Sequence, residues 1–493
     1  MNAVTASLAR RALSLGTANA IDYALQFLLP IVLTRTIDPH SFGQYRLLWL
    51  AVNTLMLIMP MCMAPSLYYF LPRSDRPTQR VYINQTLIFL AAAGLVSGWA
   101  ISQWNPLVPH AHALAEVAAG YGAIVPAFAF AWIFASTLDV LPTADERVGW
   151  QARAIVAISA LRAVALSAVA ISTHDLAAVL WALLAVTAVK ALVLLAYVAR
   201  YHGIGGPIAR ASAFKAQFRQ AAPFALSGAL HGVRTQADQW IAASLFTVAQ
   251  FASFSIATVL GPLVQIFRQS VNNVFLPSMS RLQSTGDLGG MLDLNNRANA
   301  MVALLAYPLL AFAFVFADPL ITLVYTGAYL DAVPVLRLYV VSLVAFVVEL
   351  TSILFVLGQG PFAARVNATV LVISLPLSWF GAKHFGLQGA ALGSVAAVYG
   401  ERVLSLSRIA RLTGRPVRRL QNWNTLAGIL AAAGASAFLA GLALRGFDLA
   451  PIARLAAGAA LVAMVYPAAL YLAGQWHELV EFISALRTRA HAA

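Results

Sequence analysis

Charge is what this sequence has least of. Asp, Glu, Lys and Arg make up 10% of its 493 residues, while hydrophobic residues make up 61% and mean hydropathy is +0.78. A soluble globular chain carries about 25% charged residues. Too few are present here to cover a water-facing surface, so lipid must face most of the molecule. Cysteine is nearly absent. The one example, Cys62, lies in an apolar run and excludes both an intrachain disulfide and a cysteine metal cluster; it reads as a small core residue. The nine histidines are scattered, and the HExxH, Walker A and GxSxG patterns are missing. No outward loop is long enough to fold as a catalytic domain. These absences leave no bond-making chemistry, no cofactor and no metal to expect. A cleavable signal peptide is also missing: Ala3 to Arg11 is basic and leads into a long apolar stretch, which reads as a retained first helix.

What is present is a series of apolar runs of spanning length, roughly 20 residues each. They cover 12–34, 45–68, 82–103, 116–140, 153–172, 176–199, 219–245, 249–276, 298–317, 332–357, 363–382, 386–408, 422–443 and 452–473. The expectation is an all-α polytopic membrane protein of about fourteen transmembrane helices. The longest connections, 200–218, 277–297 and 409–421, are expected to be cytoplasmic.

The 32 Lys and Arg residues test that count. With a cytoplasmic N-terminus, 21 of them fall in cytoplasmic segments, among them Arg73, Arg76, Arg80, Arg147, Arg200, Arg411, Arg418, Arg419, Arg487 and Arg489. Four fall outside: Arg35, Lys383, Arg445 and Arg454. Cytoplasmic loops are the ones that retain basic residues, and one span more or fewer would place the later basic loops on the wrong side. The expected topology has both termini in the cytoplasm. The formal net charge of +14 is thereby topogenic and needs no nucleic acid as partner.

The chain also repeats itself. Phe42-Gly-Gln-Tyr45 opens the second span and Phe70-Leu-Pro72 closes it; Phe251-Ala-Ser-Phe254 opens the eighth and Phe275-Leu-Pro277 closes it, at offsets of 209 and 205 residues. Two six-helix lobes are expected, 1–218 and 219–412, followed by two further helices and a tail over 413–493. Equal orientation of the lobes puts their axis along the membrane normal, an arrangement that transporters use around a central site. Span prolines at 30, 60, 65, 126, 223, 262, 308 and 376 each remove a backbone hydrogen bond. They read equally as ordinary membrane usage or as gating kinks.

Seven basic residues remain inside the spans: Arg46, Arg162, Lys190, Arg234, Arg268, Arg337 and Arg402. Each costs roughly 2.5–3.5 kcal/mol at mid-membrane, and a Leu or Ile returns only about 0.3–0.6. Arg337 and Arg402 sit about two turns from a span end and can snorkel. Arg46, Trp49 and Asn53 share a face of the second span. Gly16, Asn19, Asp22 and Gln26 share one of the first, Ser227, His231, Arg234 and Asp238 one of the seventh, and Gly261, Gln265, Arg268 and Asn272 one of the eighth. Polar stripes thus fall on the first two helices of each lobe, as a central aqueous cavity requires. The same residues admit a plainer account, in which Arg234 and Asp238 neutralise each other at i, i+4 and His231 is a satisfied core histidine. Arg162 and Lys190 lack long stripes and need only an acidic partner. Asp22, Asp238 and Glu349 are acids within spans, each either a carrier of a coupling H⁺ or Na⁺ or a structural partner.

Several segments resemble one family. Leu33-Thr-Arg35-Thr-Ile-Asp-Pro39-His-Ser-Phe42-Gly-Gln-Tyr45 is similar to the segment after the first helix of polysaccharide flippases. Tyr325-Thr-Gly327-Ala-Tyr329, with Ala332-Val-Pro-Val-Leu-Arg337, resembles their segment before the tenth helix, and Gly386-Leu-Gln-Gly389-Ala-Ala-Leu-Gly393 the start of their twelfth. The phrase ending in Asp238 resembles their seventh helix. The resemblance runs to about residue 412. It is to the Wzx-type oligosaccharide-lipid flippases of the multidrug/oligosaccharidyl-lipid/polysaccharide exporter superfamily.

That resemblance implies a V-shaped two-lobe fold with alternating access in a bacterial inner membrane. It implies a lipid-linked oligosaccharide on undecaprenyl diphosphate, moved to the periplasmic leaflet for O-antigen of lipopolysaccharide, capsule or exopolysaccharide. A polysaccharide polymerase and a chain-length regulator are implied partners, besides membrane lipids. The family's cavity is basic, and Arg46, Arg234 and Arg268 match it by helix. Arginine and lysine suit a diphosphate in a water-poor cavity, so Arg162 and Lys190 join the expected substrate-binding set. Asn19, Gln26, Asn53, Gln265 and Asn272 suit sugar hydroxyls. The nearest rival is the lipid II flippase of the same superfamily. A drug antiporter fits less well, because cationic drugs want acidic cavities. A polymerase or lipid-dependent glycosyltransferase is expected to carry a large periplasmic loop, which is missing.

Overall fold

The computed structural model describes residues 3–103, 116–117, 119–203, 205 and 207–480. The expected basic positions Arg487 and Arg489 lie outside the described residues, as do the side chains of Arg10 and Arg11 and residue 118 in the fourth expected span. Among the described residues the structure is helical throughout. The helices are α1 (Ala3–Thr36), α2 (Pro39–Ile58), α3 (Met63–Phe70), α4 (Arg76–Ser102), α5 (Ile124–Ala135), α6 (Leu141–Ala144), α7 (Val148–Thr173), α8 (Leu176–His202) and α9 (Ala211–Leu245). They continue as α10 (Val248–Ala257), α11 (Leu260–Ser284), α12 (Leu288–Val315), α13 (Ala317–Tyr325), α14 (Ala332–Phe346), α15 (Thr351–Val356), α16 (Gly360–Thr413), α17 (Trp423–Ala443) and α18 (Pro451–Leu472).

Ten of the described helices are long and apolar enough to cross a membrane, or eleven when Pro39–Ile58 and Met63–Arg73, bent by 41°, are taken as one broken span. The fourteen expected from hydropathy is therefore not the count that length and apolarity give. The differences have local causes. The Ala332–Phe346 helix is only 15 residues long, α9 is diluted by Arg219, His231, Arg234 and Asp238, and α16 covers two expected spans that meet at a kink.

At 54 residues, a straight α16 would be about 80 Å long, against a hydrocarbon core of about 30 Å. Gly386 interrupts it with φ 63° and ψ −145°, a left-handed backbone that glycine adopts without steric cost. The two halves fold back on each other along a seam of small residues. A Cβ on Gly389 would overlap the Gly381 carbonyl, one on Gly393 would overlap Ser378 and the Ser374 carbonyl, and Gly400 faces Val370. The Gly386 to Gly393 motif is thus the recipe for a helical hairpin.

The repeat seen in the sequence has a physical counterpart at the helix starts. Asp38 caps α2, accepting from the backbone N–H of His40 at 2.9 Å and of Ser41 at 3.0 Å. Partial burial raises its carboxyl pKa, but these donors outweigh burial and hold it below the ordinary value. Thr247, 209 residues later, caps α10 in a reciprocal box: Gln250 Oε1 accepts from Thr247 N at 3.1 Å and Thr247 Oγ1 from Gln250 N at 3.3 Å. Gly43 packs on the Val248 carbonyl with no room for a Cβ.

The chain divides into two compact units, Met1–Gln236 with Ala243–Ala252, and Ala237–Ala242 with Ser253–Ala493. In the first, α1 lies along α7, α4 along α5, and α8 packs on both α5 and α7. Leu67, Leu71, Ile83, Leu138, Leu141 and Tyr197 form its core. In the second, α12 packs against α11, α14 and α17, and α18 closes on α17 through Phe316, Ala437, Leu455 and Val462.

Spans are broken at related places. The first unit unwinds over Ser136–Asp139, a 3-10 turn between α5 and α6. The second unwinds between α14 and α15, where Glu349 sits in irregular backbone. Asp139 and Glu349 are 210 residues apart, close to the repeat offset. Irregular backbone at membrane depth is tolerated only where it is buried in protein or lines a wet cavity.

With no room for a Cβ at the seam, Gly389→Val should cost about 1–3 kcal/mol through overpacking. Gly400→Ala, whose nearest neighbour stands at 4.0 Å, should stabilise by about 0.5–1 kcal/mol. Thermal unfolding of the detergent-solubilised variants measures both, and equal melting temperatures would contradict the account.

Candidate functional site

Two of the four polar stripes meet in the first unit. A cavity of about 470 Å³ is lined by Asn19, Asp22 and Gln26 from α1 and by Tyr45, Arg46, Trp49 and Asn53 from α2. Gln151, Ser159 and Arg162 reach it from α7, Thr187 and Lys190 from α8, and Trp132 and Asp139 from α5 and the turn after it. Spacings of three, four and seven residues on α1 and α2 put their polar groups on the inward face. Arg162 and Lys190, which showed no stripe in the sequence, come to the same cavity through the packing of α7 and α8 on α1 and α5.

Three cations and two carboxylates line this cavity. Asp22 is a tie between helices: it accepts from Gln26 Nε2 at 2.6 Å, from Ser159 Oγ, and from Arg162 Nη2 at 3.2 Å. Lys190 Nζ donates to Asp139 Oδ2 at 2.7 Å. Trp132 is close to both cations, with Lys190 Nζ 5.2 Å and Arg162 Cζ 5.9 Å from its ring centre. Its ring meets Trp49 edge-on at 4.9 Å, and Trp49 meets Phe128 at 5.5 Å. The arrangement is a cationic patch on an aromatic wall, with amide and hydroxyl groups around it. The cations suit phosphate oxygens, and the ring faces and amides suit sugar.

The other stripes lie elsewhere. Arg234 and His231, on the part of α9 within the first unit, lie outside that cavity. Asp238, in the second unit, is buried and accepts from the Tyr339 hydroxyl, from the Ser394 hydroxyl, and from its neighbour Gln239 N at 2.8 Å. In the same unit Arg268 Nη1 pairs with Glu349 Oε2 at 2.8 Å, with side chains only 12% and 8% exposed. Arg268 also donates to Gln265 Oε1 at 2.8 Å and lies over the Phe346 ring at 3.7 Å. Asn272 accepts from Ser352. Asn299 Oδ1 accepts from Glu349 N at 2.9 Å, and Asn295 Nδ2 donates to Glu349 O at 3.1 Å. The expected ligands Gln265, Arg268 and Asn272 thus join a network around the unwound Glu349 segment. Arg337, expected to be structural, pairs with Asp318 at 2.6 Å.

Sequence reading missed Trp132, Asp139, Gln151 and Ser159 in the first unit, and Tyr339, Ser394, Asn295 and Asn299 in the second. Ser159 and Arg162, three apart on α7, carried a usable signal. Asp139 carried none, because its span breaks there and helical spacing loses its meaning.

Membrane-length helices around a polar cavity define the class: a multi-pass membrane protein with a transporter fold. The chain belongs to the polysaccharide biosynthesis protein family, which its residues 32–334 match. The expected relationship to polysaccharide proteins is borne out by this family match, and the expected transporter fold by the structures it resembles. The fold is similar to that of the lipid II flippase MurJ in an inward closed conformation, with a TM-score of 0.72 at 11% identity over 93% of this chain and 98% of that one. It is also similar to an inward-facing multidrug resistance MATE family transporter of the MOP superfamily, with a TM-score of 0.63 at 14% identity over 80% of this chain and 96% of that one. A third is a MOP superfamily transporter from Pyrococcus furiosus, with a TM-score of 0.50 at 15% identity over 82% and 95%. No curated protein matches the sequence.

The tie at Asp22 generates a stability prediction. Asp22→Ala strands Arg162 beside a membrane cavity and should cost about 1–3 kcal/mol, the range for leaving a charged group unsatisfied. The double variant Asp22→Ala/Arg162→Ala should lose less than the sum of the single variants, because it strands no charge. Additive losses in melting temperature would contradict the pairing.

Proposed function

We propose that the chain is a flippase that carries an oligosaccharide linked to undecaprenyl diphosphate across the bacterial inner membrane. It delivers the sugar to the periplasmic leaflet for O-antigen, capsule or exopolysaccharide assembly. The observation that carries this reading is the first unit's cavity, where Arg46, Arg162 and Lys190 line a Trp132 and Trp49 wall among Asn19, Gln26 and Asn53. Family membership supports a role in polysaccharide biosynthesis. A diphosphate leaving water needs charge-assisted donors, and guanidinium suits phosphate oxygens in pairs. The prenyl chain stays in lipid while the head crosses. Two lobes, with two extra helices after the second, alternate the access. Arg234, Arg268, Gln265 and Asn272 serve the head during that passage. Both termini are cytoplasmic, and a polymerase and a chain-length regulator receive the product.

Coupling to H⁺ or Na⁺ falls to the carboxylates. Asp238 is the best placed, since the partners of its side chain are hydroxyls and a backbone N–H and its protonation strands no cation among them. Asp22 and Glu349 are tied to Arg162 and Arg268, and their protonation would release an arginine. A second reading, transport of the peptidoglycan precursor, is favoured by the fold likeness to the lipid II flippase; the family match favours polysaccharide. Drug antiport is disfavoured because cations outnumber carboxylates in the cavity by three to two.

Arg162→Ala/Lys190→Ala, and separately Arg234→Ala and the charge-compensated Arg268→Gln/Glu349→Gln, should insert at normal levels yet fail to restore surface polysaccharide to a strain lacking the gene. Full restoration by all of them would remove the assignment. Asp238→Asn should flatten the dependence of transport on the ion gradient; an unchanged dependence would remove Asp238 from coupling.

A further inference from the structure

The two carboxylates of the first unit's cavity are held in different ways. Asp22 has three donors on two helices, so moving it would undo the seam between α1 and α7. Asp139 is held by Lys190 among the described residues. Its side chain is 53% exposed, while that of Lys190 is 10% exposed. Asp139 also ends a 3-10 turn where the span has unwound, so its backbone is outside the α-helical hydrogen-bond ladder.

A buried ammonium at membrane depth needs a counter-charge at all times. The cavity therefore faces a conflict. Empty, it must neutralise Lys190; loaded, it must offer Lys190 to an anion. A carboxylate that is half in the cavity, on unwound backbone and tied by one contact resolves that conflict. The Trp132 ring, 5.2 Å from Lys190 Nζ, keeps the ammonium from drifting while the anion changes. The second unit repeats the placement: Glu349, 210 residues on, lies in the unwound stretch of the corresponding span and holds Arg268. There, however, the carboxylate is buried and further bonded to Ser352 N at 3.0 Å, so it is fixed.

We infer that Asp139 is an exchangeable counter-ion, a built-in stand-in for substrate phosphate that leaves Lys190 when the diphosphate head arrives and returns to expel it. This deepens the proposed function and rests on it. Asp139 competes with the substrate, so its removal should tighten binding and slow release. A purely structural ion pair would do the reverse, weakening both binding and stability.

The test uses the full chain in lipid nanodiscs with farnesyl diphosphate as probe, read by tryptophan fluorescence with Trp132→Phe as the control for the reporting ring. Wild type should bind the probe. Asp139→Asn should bind about fivefold tighter, the upper end for a partly exposed ion pair, and release it more slowly. It should support less surface polysaccharide in cells. Asp139→Glu, which keeps the charge, should bind like wild type. Equal or weaker binding by Asp139→Asn, in protein whose melting temperature is unchanged, overturns the exchange. If Asp139→Asn does not fold, Asp139→Ser replaces it under the same criterion. No binding by wild type would overturn the diphosphate reading itself, and this inference with it.

Discussion

A charged side chain within a membrane-spanning helix needs a partner, because taking it out of water is costly. That constraint organises the structure. Arg162 has Asp22, Lys190 has Asp139, and Arg268 has Glu349. Removing one partner of such a pair strands the other, which costs far more than the intact pair contributes. The pairs consequently fix which helices lie together. Asp22 joins α1 to α7, Lys190 joins α8 to the turn after α5, and Arg268 joins α11 to the break before α15. Cationic cavity and helix packing are the same set of contacts seen from two sides.

The carboxylates that serve this purpose also explain where spans unwind. Asp139 and Glu349 occupy corresponding breaks in the two units. A break lets a short acidic side chain reach a cation on another helix, and it leaves backbone groups that a polar cavity or network must satisfy. In the second unit Asn295 and Asn299 satisfy them at Glu349. In the first, the break opens onto the cavity. The second unit thus has a hydrogen-bonded polar network at its break where the first has a polar cavity.

Much of this was legible in the sequence. Apolar run length gave the helices, and spacing on α1 and α2 put Asn19, Asp22, Gln26, Arg46, Trp49 and Asn53 on faces that line one cavity. The Phe42 and Phe251 repeat extends to helix caps at Asp38 and Thr247. The membrane-length count departs from fourteen at α9, whose polar residues dilute its hydropathy, and at the 15-residue Ala332–Phe346 helix, whereas the break read between 382 and 386 is where Gly386 turns α16 into a hairpin. Asp139 and Trp132 were invisible for a different reason. Their role depends on which helices pack together and on a local unwinding, and neither leaves a periodic trace. Gln265, Arg268 and Asn272 share the face that their spacing gave them, but the partner that decides what they do, Glu349, lies on a remote segment.

What the first unit's cavity holds decides what this protein carries. Native mass spectrometry of the protein, extracted in mild detergent from cells making surface polysaccharide, addresses this directly. Wild type should retain a prenyl-diphosphate oligosaccharide, and Arg162→Ala/Lys190→Ala should lose it while keeping its ordinary phospholipids. Retention of the same lipid-linked sugar by the double variant, or phospholipid alone on both proteins, would contradict the proposed function.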